Sequence, residues 1–554
     1  MNQKSPEKKG IKSFSPMFWV VIMFEFFERG SYYGMMSILS VYFTDKLFFS
    51  KESVGIIKST IQPILYFLPI IAGALADRFG YRRTLLVAFS LLGGGYFLTS
   101  QMTSYTAVFL ALVVMALGAG TFKPIISGTI ARVTDKSNST LGFGVYYWSI
   151  NLGAFLFPLI LVPYLKNNFG WNTVIIASAI GTGAMIIPTL LFYKEPPKPR
   201  EATDEKKTNI IQTIANAFEI IYSPFVLIHR HIHDTAVKKL VIYLLSAIVL
   251  LVSFYLYLAK GNFLFLFISL LYLTSLLILR LQGHASRNGS SGTYQLIFAV
   301  VISAFIWLVP GLSTFGRIVT NVIYLTVLSL FLIDISEEQK FKDHFKFLLM
   351  IFIYSGFWIL YFQQFDSVLW YVKDYVDASS LNHAVNGFLA KLGIHLNWKF
   401  DVEHVTVINA GTIIALQLII SNIVKHTKAL PTMVTGILFG TIGMGILAIS
   451  INIWVFLAGI IIFSIGEMTA HPKFISYVGQ TAPRNRVATY MGYIFLYGVI
   501  GSSIGGVLGA NLYVHFVDKL HQPRLLWLIF SSIGVITIVA LLLYNKFLAV
   551  KEEV

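Results

Sequence analysis

Glu25, Glu28, Arg29, Tyr32 and Tyr33 sit at i, i+3, i+4, i+7 and i+8 inside a long apolar stretch, a spacing that puts them on one helix face. Facing lipid, each ionised group would cost about 2.5–3.5 kcal/mol. That face is therefore expected to look into a bundle or a water-filled cavity, as on an ion or solute path. Two carboxylates so close do not both stay ionised easily, so one is expected to bind a proton near neutral pH. Lys123 stands directly before Pro124 in a second apolar run, and Glu467 lies five residues before Pro472 in a third. A lysine in such a place needs an anionic partner or must surrender its proton; a glutamate needs a cation or a proton. A Lys123–Glu467 pair across the bundle would close a cavity on one side and break when a proton or solute competes. A static buried ion pair is the other reading. Pro124 and Pro472 free carbonyls and kink their helices, which suits gating elements.

The elements that must position these groups are membrane spans. The chain has 554 residues, 56% hydrophobic and 12% charged, with mean hydropathy +0.72. Soluble domains carry about twice that charged fraction, so an all-α integral membrane protein is expected. The first 16 residues are polar and basic, and no small-residue cleavage site follows the first apolar run. No cysteine is present, which removes disulfides and cysteine metal sites. The net charge of +16 does not point to nucleic acid, because many Lys and Arg flank the apolar runs.

Apolar runs fall near 16–44, 52–77, 82–101, 105–131, 142–165 and 171–193, forming an N-terminal six-helix bundle over 1–193. A cytoplasmic linker with an amphipathic helix is expected over 194–237, and four inserted spans over 238–336. These lie near 239–258, 262–281, 294–312 and 318–334. Six more runs, near 345–376, 403–425, 430–450, 453–478, 487–514 and 524–547, form a C-terminal six-helix bundle over 337–554. About 16 spans result, unless one inserted pair is re-entrant or lies along the surface. Lys4, Lys8, Lys9, Lys12, Arg78, Arg82, Arg83, Arg132, Lys136, Lys206, Lys207, Lys238, Lys239, Lys340, Lys342, Lys346, Arg484 and Arg486 then share one side. Both termini are expected in the cytoplasm. The inserted spans carry few charges and are expected to be lipid-facing scaffold or a docking element. An external loop is expected over 373–401. Two six-span halves joined by a basic linker imply parallel repeats, and Gly120–Pro124 and Gly466–Lys473 echo one another.

Gly73-Ala74-Leu75-Ala76-Asp77-Arg78-Phe79-Gly80-Tyr81-Arg82-Arg83 resembles the loop signature of the major facilitator superfamily. Glu25-x-x-Glu28-Arg29-x-x-Tyr32-Tyr33 resembles the span-one signature of the proton-dependent oligopeptide transporter family. Gly120-Thr121-Phe122-Lys123-Pro124, Tyr146-Tyr147-Trp148-Ser149-Ile150-Asn151-Leu152-Gly153, and Gly466-Glu467 with Pro472 resemble three further motifs of that family. The resemblance implies a major facilitator fold, two six-helix bundles with inserted helices between them, although the family usually inserts two rather than four. It implies a proton-coupled symporter importing di- and tripeptides by alternating access, with span one coupling proton movement to transport. By the same resemblance Arg29 and Lys123 would hold a peptide carboxylate, and Glu467, Asn151 and Asn409 its amino group. Tyr32, Tyr33, Tyr66 and Tyr147 would line the cavity with them, since varied side chains need aromatic walls.

Two positions depart from that pattern. Where the family carries a span-seven glutamate before glutamine, this chain has Phe362 before Gln363. Asp366, one turn on, either replaces it as the partner of Arg29 or marks the helix end and meets water. His471, one turn from Glu467, stands where the family often has a small residue. It is expected to titrate, to narrow the pocket, or to be a hydrogen-bonded kink residue. These departures leave room for another cargo, an anion or a modified amino acid, with proton coupling retained. A membrane enzyme or a sensor is the competing class, since paired carboxylates can do acid–base chemistry. No nucleophile–base pair, cofactor motif or P-loop accompanies them. His383, His395 and His404 lack metal spacing, so no metal and no cofactor other than the coupling proton is expected. The expected partners are a small peptide, protons and the lipid bilayer of the plasma membrane, with the chain a monomer that binds no nucleic acid.

Overall fold

The computed structural model describes residues 13–134, 138–196, 338–395, 397–482 and 487–549. The expected amphipathic helix near 208–228, the four inserted spans, and most of the linker lie outside the described residues. The chain divides into one compact unit of 1–207 with 349–554 and a second of 208–348. Both six-helix halves thus belong to the first unit, except residues 337–348 of the second half.

The first half runs through α1 (Pro16–Asp45), α2 (Lys51–Phe79), α3 (Tyr81–Gln101) and α4 (Tyr105–Val133). Then come α5 (Ser139–Leu156), a π-helical segment (Phe157–Leu161), α6 (Val162–Phe169), α7 (Trp171–Gly183) and α8 (Ile186–Leu191). The second half holds α9 (Glu338–Phe362), a 3-10 turn (Gln363–Phe365), α10 (Ser367–Tyr375), α11 (Ser379–Lys391), α12 (His404–Val424) and α13 (Ala429–Ile446). It closes with α14 (Ile453–Thr481), α15 (Val487–Tyr493), α16 (Leu496–Tyr513), a π-helical segment (Val514–Lys519) and α17 (Pro523–Phe547). Ten described helices are long and apolar enough to cross a membrane. Helix α1 is as long, at 30 residues, but carries Glu25, Glu28 and Arg29 mid-length. The chain is a polytopic, all-helical membrane protein. One expectation is corrected here: 373–401 is not simply a loop, because Ser379–Lys391 forms α11.

Sequence punctuation sets several helix ends. Ser15 caps α1, its side chain accepting from Phe18 N ahead of Pro16. Ser50 caps α2 and Asn452 caps α14 in the same way. Pro124 and Pro472 lie inside α4 and α14, as the sequence suggests.

Glycines let the site-bearing helices approach closely, as small residues do within membranes. A Cβ on Gly153 would lie 2.7 Å from the Phe26 carbonyl oxygen, so α5 rides directly on α1 two residues from Asn151. A Cβ on Gly466 would lie 2.5 Å from the Gly436 carbonyl oxygen, which fixes α14 against α13 beside Glu467.

The two halves meet at one end through charge. Lys51 pairs with Asp518 at 2.8 Å and Lys58 with Asp366 at 3.2 Å. Lys166 pairs with Asp401 and with Glu403, both at 2.6 Å. Lys373 pairs with Asp45. Helix α2 packs along α16 at the same end, where a Cβ on Gly55 would meet Ala510 Cβ at 2.6 Å.

Gly466→Ala is expected to lower the thermal midpoint in detergent, with an overpacking cost of about 1–3 kcal/mol. Gly94→Ala, which has nothing within 4 Å of the added carbon, is expected to leave it unchanged. Equal midpoints for the two variants in a fluorescence melt would refute this account of the α13–α14 contact.

Candidate functional site

Helix α1 delivers its charges as a compact cluster. The Arg29 guanidinium binds Glu28 through two nitrogens, with Nη2 donating to Glu28 Oε1 at 2.6 Å. Glu25 Oε1 is 3.6 Å from Arg29 Nε. All three residues are buried. Their arrangement is unequal: Glu28 neutralises Arg29, while Glu25 is a second carboxylate on the same cation. Glu25 Oε2 is buried without a hydrogen bond among the described residues, with Tyr146 beside it. One negative charge is therefore in excess, and a proton on Glu25 would remove it.

A cavity of about 500 Å³ opens next to this cluster, within the range of about 300–1,000 Å³ usual for small-molecule sites. Glu25, Arg29, Tyr33, Tyr66, Lys123, Pro124, Tyr147 and Asn151 line it from the first half. Asn409, Glu467 and His471 line it from the second. Most of the expected residues thus surround one space. The lining continues through Ser127, Met491, Gly492 and Phe495, away from the end held by the cross-half ion pairs.

Lys123 and Glu467 share the cavity but are not paired with each other. The Lys123 ammonium lies 4.4 Å from the Tyr66 ring centroid, a cation–π contact. Glu467 Oε2 accepts from Asn409 Nδ2 at 3.0 Å. The same amide group donates to Ser464 Oγ at 2.9 Å. Neither residue has an ion-pair partner among the described residues. Asn151 Nδ2 donates to the Tyr147 carbonyl at 3.0 Å, which leaves its side-chain oxygen for the cavity.

Three expectations are corrected. Tyr32 does not line the main cavity: its hydroxyl donates to Gln62 Oε1 at 3.1 Å, behind α1. Glu28 is likewise behind the wall rather than on it. Asp366 is not the partner of Arg29 and does not meet water. Helix α9 ends at Phe362, and the 3-10 turn swings Asp366 off the α9 face. Its carboxylate meets Lys58 and accepts from Ser40 Oγ at 2.8 Å. Pro472, unlike Pro124, shapes its helix without lining the space.

His471 is wedged among rings, with centroids 5.2 Å from Trp358 and 5.3 Å from Tyr497, and Nδ1 3.4 Å from the Tyr354 hydroxyl. Trp358 stacks on Tyr497 at 4.3 Å. Phe362 packs edge-on against Tyr66 at 5.8 Å, so an aromatic stands where the resemblance implies a carboxylate. The sequence reading missed Trp358, Tyr361, Gln364 and Tyr497, all of which line the cavity. Gln364 Nε2 is buried without a partner among the described residues, a free donor at the cavity wall. Spacing along α9 could have found Trp358 and Tyr361, but not Tyr497 beyond a break between α15 and α16.

A family model described as Major Facilitator Superfamily matches residues 18–394 and 375–552. The chain belongs to the major facilitator superfamily. Its relatives include the dipeptide and tripeptide permease B of Aliivibrio fischeri, 33% identical over 180 residues covering 32% of this chain and 35% of that one. The dipeptide and tripeptide permease A of Escherichia coli is 29% identical over 186 residues, covering 32% and 37%. The chain thus spans little more than a third of the length of the curated relatives it matches, 35% and 37% for these two. Its motifs resemble those of the proton-dependent oligopeptide transporter family, and these relatives are dipeptide and tripeptide permeases. Its fold is similar to a POT family transporter solved with 5-aminolevulinic acid, at TM-score 0.61 and 19% identity over 97% of this chain and 98% of that one. It is also similar to the POT family transporter PepTSo, at TM-score 0.66 and 16% identity over the same shares, 97% and 98%.

The Lys58–Asp366 pair gives a direct stability test. Asp366→Asn leaves a buried lysine without its carboxylate and is expected to destabilise by about 3–5 kcal/mol. The double variant Lys58→Met, Asp366→Leu is expected to recover most of that loss. A thermal double-mutant cycle showing additive effects would contradict the pairing.

Proposed function

We propose that this chain is a proton-coupled symporter that imports di- and tripeptides by alternating access. One observation carries the reading: Lys123 and Glu467, opposite charges without ion-pair partners among the described residues, face a single cavity from the two halves. A zwitterion with its charges at opposite ends satisfies both. Arg29 and Lys123 receive the carboxylate, and Glu467, Asn409 and Asn151 receive the ammonium group. Gln364 offers a donor to the backbone between them. Six tyrosines and Trp358 line the rest of the wall, which suits side chains of varied size.

The coupling proton resides on Glu25. A peptide carboxylate that draws Arg29 away removes the cation shared by Glu25 and Glu28, and the two carboxylates then hold their proton more tightly. Substrate and proton thereby favour each other's binding. Moving one charge through 100 mV yields about 2.3 kcal/mol, enough for roughly 50-fold accumulation at tenfold per about 1.4 kcal/mol. The end with the ion pairs faces outward, both termini lie in the cytoplasm, and the chain works as a monomer in the plasma membrane.

Phe362 supports a second reading, another small solute on the same machinery, because it makes apolar a wall where a carboxylate is implied. Competition separates the two. Uptake of labelled dialanine into proteoliposomes, with an inward acid gradient and negative interior, is expected to exceed the no-gradient level severalfold. Glu28→Gln, which unpairs Arg29, is expected to abolish that excess. No dialanine uptake by well-folded protein would reject peptide cargo. Reversion of Phe362 to Glu and of His471 to Ser then tests whether those two residues redirect it.

A further inference from the structure

Helix α11 (Ser379–Lys391) belongs to no span and has no buried residue. Leu381, Val385, Phe388 and Leu392 nevertheless recur at i, i+4, i+7 and i+11, an apolar stripe of helical period. Leu381 and Val385 are half-buried, whereas Phe388 is 63% and Leu392 59% exposed. Ile394, just past the helix, is exposed too. The polar side is already engaged. Asn386 Nδ2 donates to the Trp398 carbonyl and Asn386 Oδ1 accepts from Trp398 N, both at 2.8 Å. Asn382 Oδ1 accepts from Phe400 N at 2.8 Å. At 3.6 residues per turn, Phe388 lies about 200° round the helix from Asn386. The returning chain therefore clamps one side of α11 and leaves the stripe on the other.

The clamp also holds α11 at the level where two spans begin. Asp377 N donates to the Ile451 carbonyl at 3.0 Å, next to Asn452, the cap of α14. The Trp398 and Phe400 rings lie 5.0 and 5.4 Å from His404, the first residue of α12. Both α12 and α14 are long and apolar enough to cross a membrane. Residues 377, 382 and 386 are thus all tied close to span starts, so α11 runs along that level rather than out from it. Trp454, in the first turn of α14, is exposed, as aromatic residues are at a bilayer surface. Charge adds a second sign. From Ala378 to Phe400 the chain carries Lys391, Lys399, His383 and His395 and no Asp or Glu. Both lysines are exposed.

We propose that α11 lies on the bilayer, with Phe388 and Leu392 among the headgroups and Lys391 and Lys399 drawing it to anionic lipid. A helix with a Phe and Leu face and lysines beside it is the kind that seats at a membrane surface. Against an anionic leaflet, two lysines favour the seated helix about 30-fold. A second copy of this chain fits the face less well. Two basic stretches without an acid repel each other, and one face of a 13-residue helix falls far short of the roughly 1,200 Å² of a stable interface. Seated there, α11 ties the start of α12 to the leaflet, and α12 carries Asn409 into the cavity. The inference needs the membrane spans but not the peptide cargo.

The test reads how deep α11 sits. The chain contains no cysteine, so one introduced thiol carries the only spin label. Phe388→Cys and Leu392→Cys report the stripe, and His383→Cys reports the far side; all three positions are exposed. The full chain is placed in nanodiscs of phosphatidylglycerol or of phosphatidylcholine, and collisions with oxygen and with a nickel chelate are measured by EPR. In phosphatidylglycerol the oxygen-to-nickel ratio at 388 and 392 is expected to exceed that at 383 about fivefold. Phe388→Asp is expected to bring the ratio at 392 down to that at 383. Lys391→Gln with Lys399→Gln is expected to erase the gain of phosphatidylglycerol over phosphatidylcholine. Equal ratios at the three positions, or a ratio at 392 that ignores Phe388→Asp, overturn the docking. A ratio at 388 that is the same in both lipids overturns the draw to anionic lipid. Dipolar broadening of the 388 label in discs loaded with two chains would assign the face to a second copy and overturn the proposal.

Discussion

The whole arrangement depends on placing one guanidinium, Arg29, in the middle of a membrane helix. Burying an isolated charge there is prohibitive, so the sequence supplies Glu28 beside it as neighbour and ligand. That pair alone would be inert. Glu25, one turn back, adds a second carboxylate that the cation cannot fully satisfy. The cluster is thereby left one charge short of neutrality, and both a proton and an incoming carboxylate can change its balance. The surrounding cavity exists because these groups cannot face lipid, and its shape follows from the glycines that bring α5 onto α1 and α14 onto α13.

Charge is divided between the halves in a consistent sense. At the closed end three of the four cross-half contacts put lysine on the first half and acid on the second: Lys51, Lys58 and Lys166 against Asp518, Asp366, Asp401 and Glu403. Inside the cavity Lys123 again belongs to the first half and Glu467 to the second, but there they are not paired with each other. The same complementarity thus closes the molecule at one end and leaves room for a ligand in the middle. A zwitterion bound as proposed would complete in the cavity the kind of contact the protein makes for itself at that end.

Much of this was legible in the sequence, for physical reasons that also set the limit. Long apolar runs gave the spans from α1 to α8 and from α9 to α17 because a membrane demands them. Glu25, Arg29, Lys123, Asn151, Asn409 and Glu467 stood out because polar groups in such runs must have a use. Direction was harder to read. Tyr32 and Tyr33 are adjacent and share the polar side of α1, yet only Tyr33 reaches the cavity, while Tyr32 turns to Gln62. Helical spacing sets Asp366 one turn from Phe362, but the 3-10 turn at Gln363–Phe365 breaks that periodicity and sends it to Lys58. The partners of Lys58 and Lys166 are hundreds of residues away, and no local pattern announces them.

The central claim is that the surplus carboxylate at Glu25 carries the proton that moves with the solute. The most direct measurement adds dialanine outside proteoliposomes loaded with a pH-sensitive dye, with no imposed gradient. Prompt internal acidification is predicted, absent in Glu25→Gln while dialanine exchange across the membrane persists. Dialanine entry without acidification, or acidification that survives Glu25→Gln, would contradict the account.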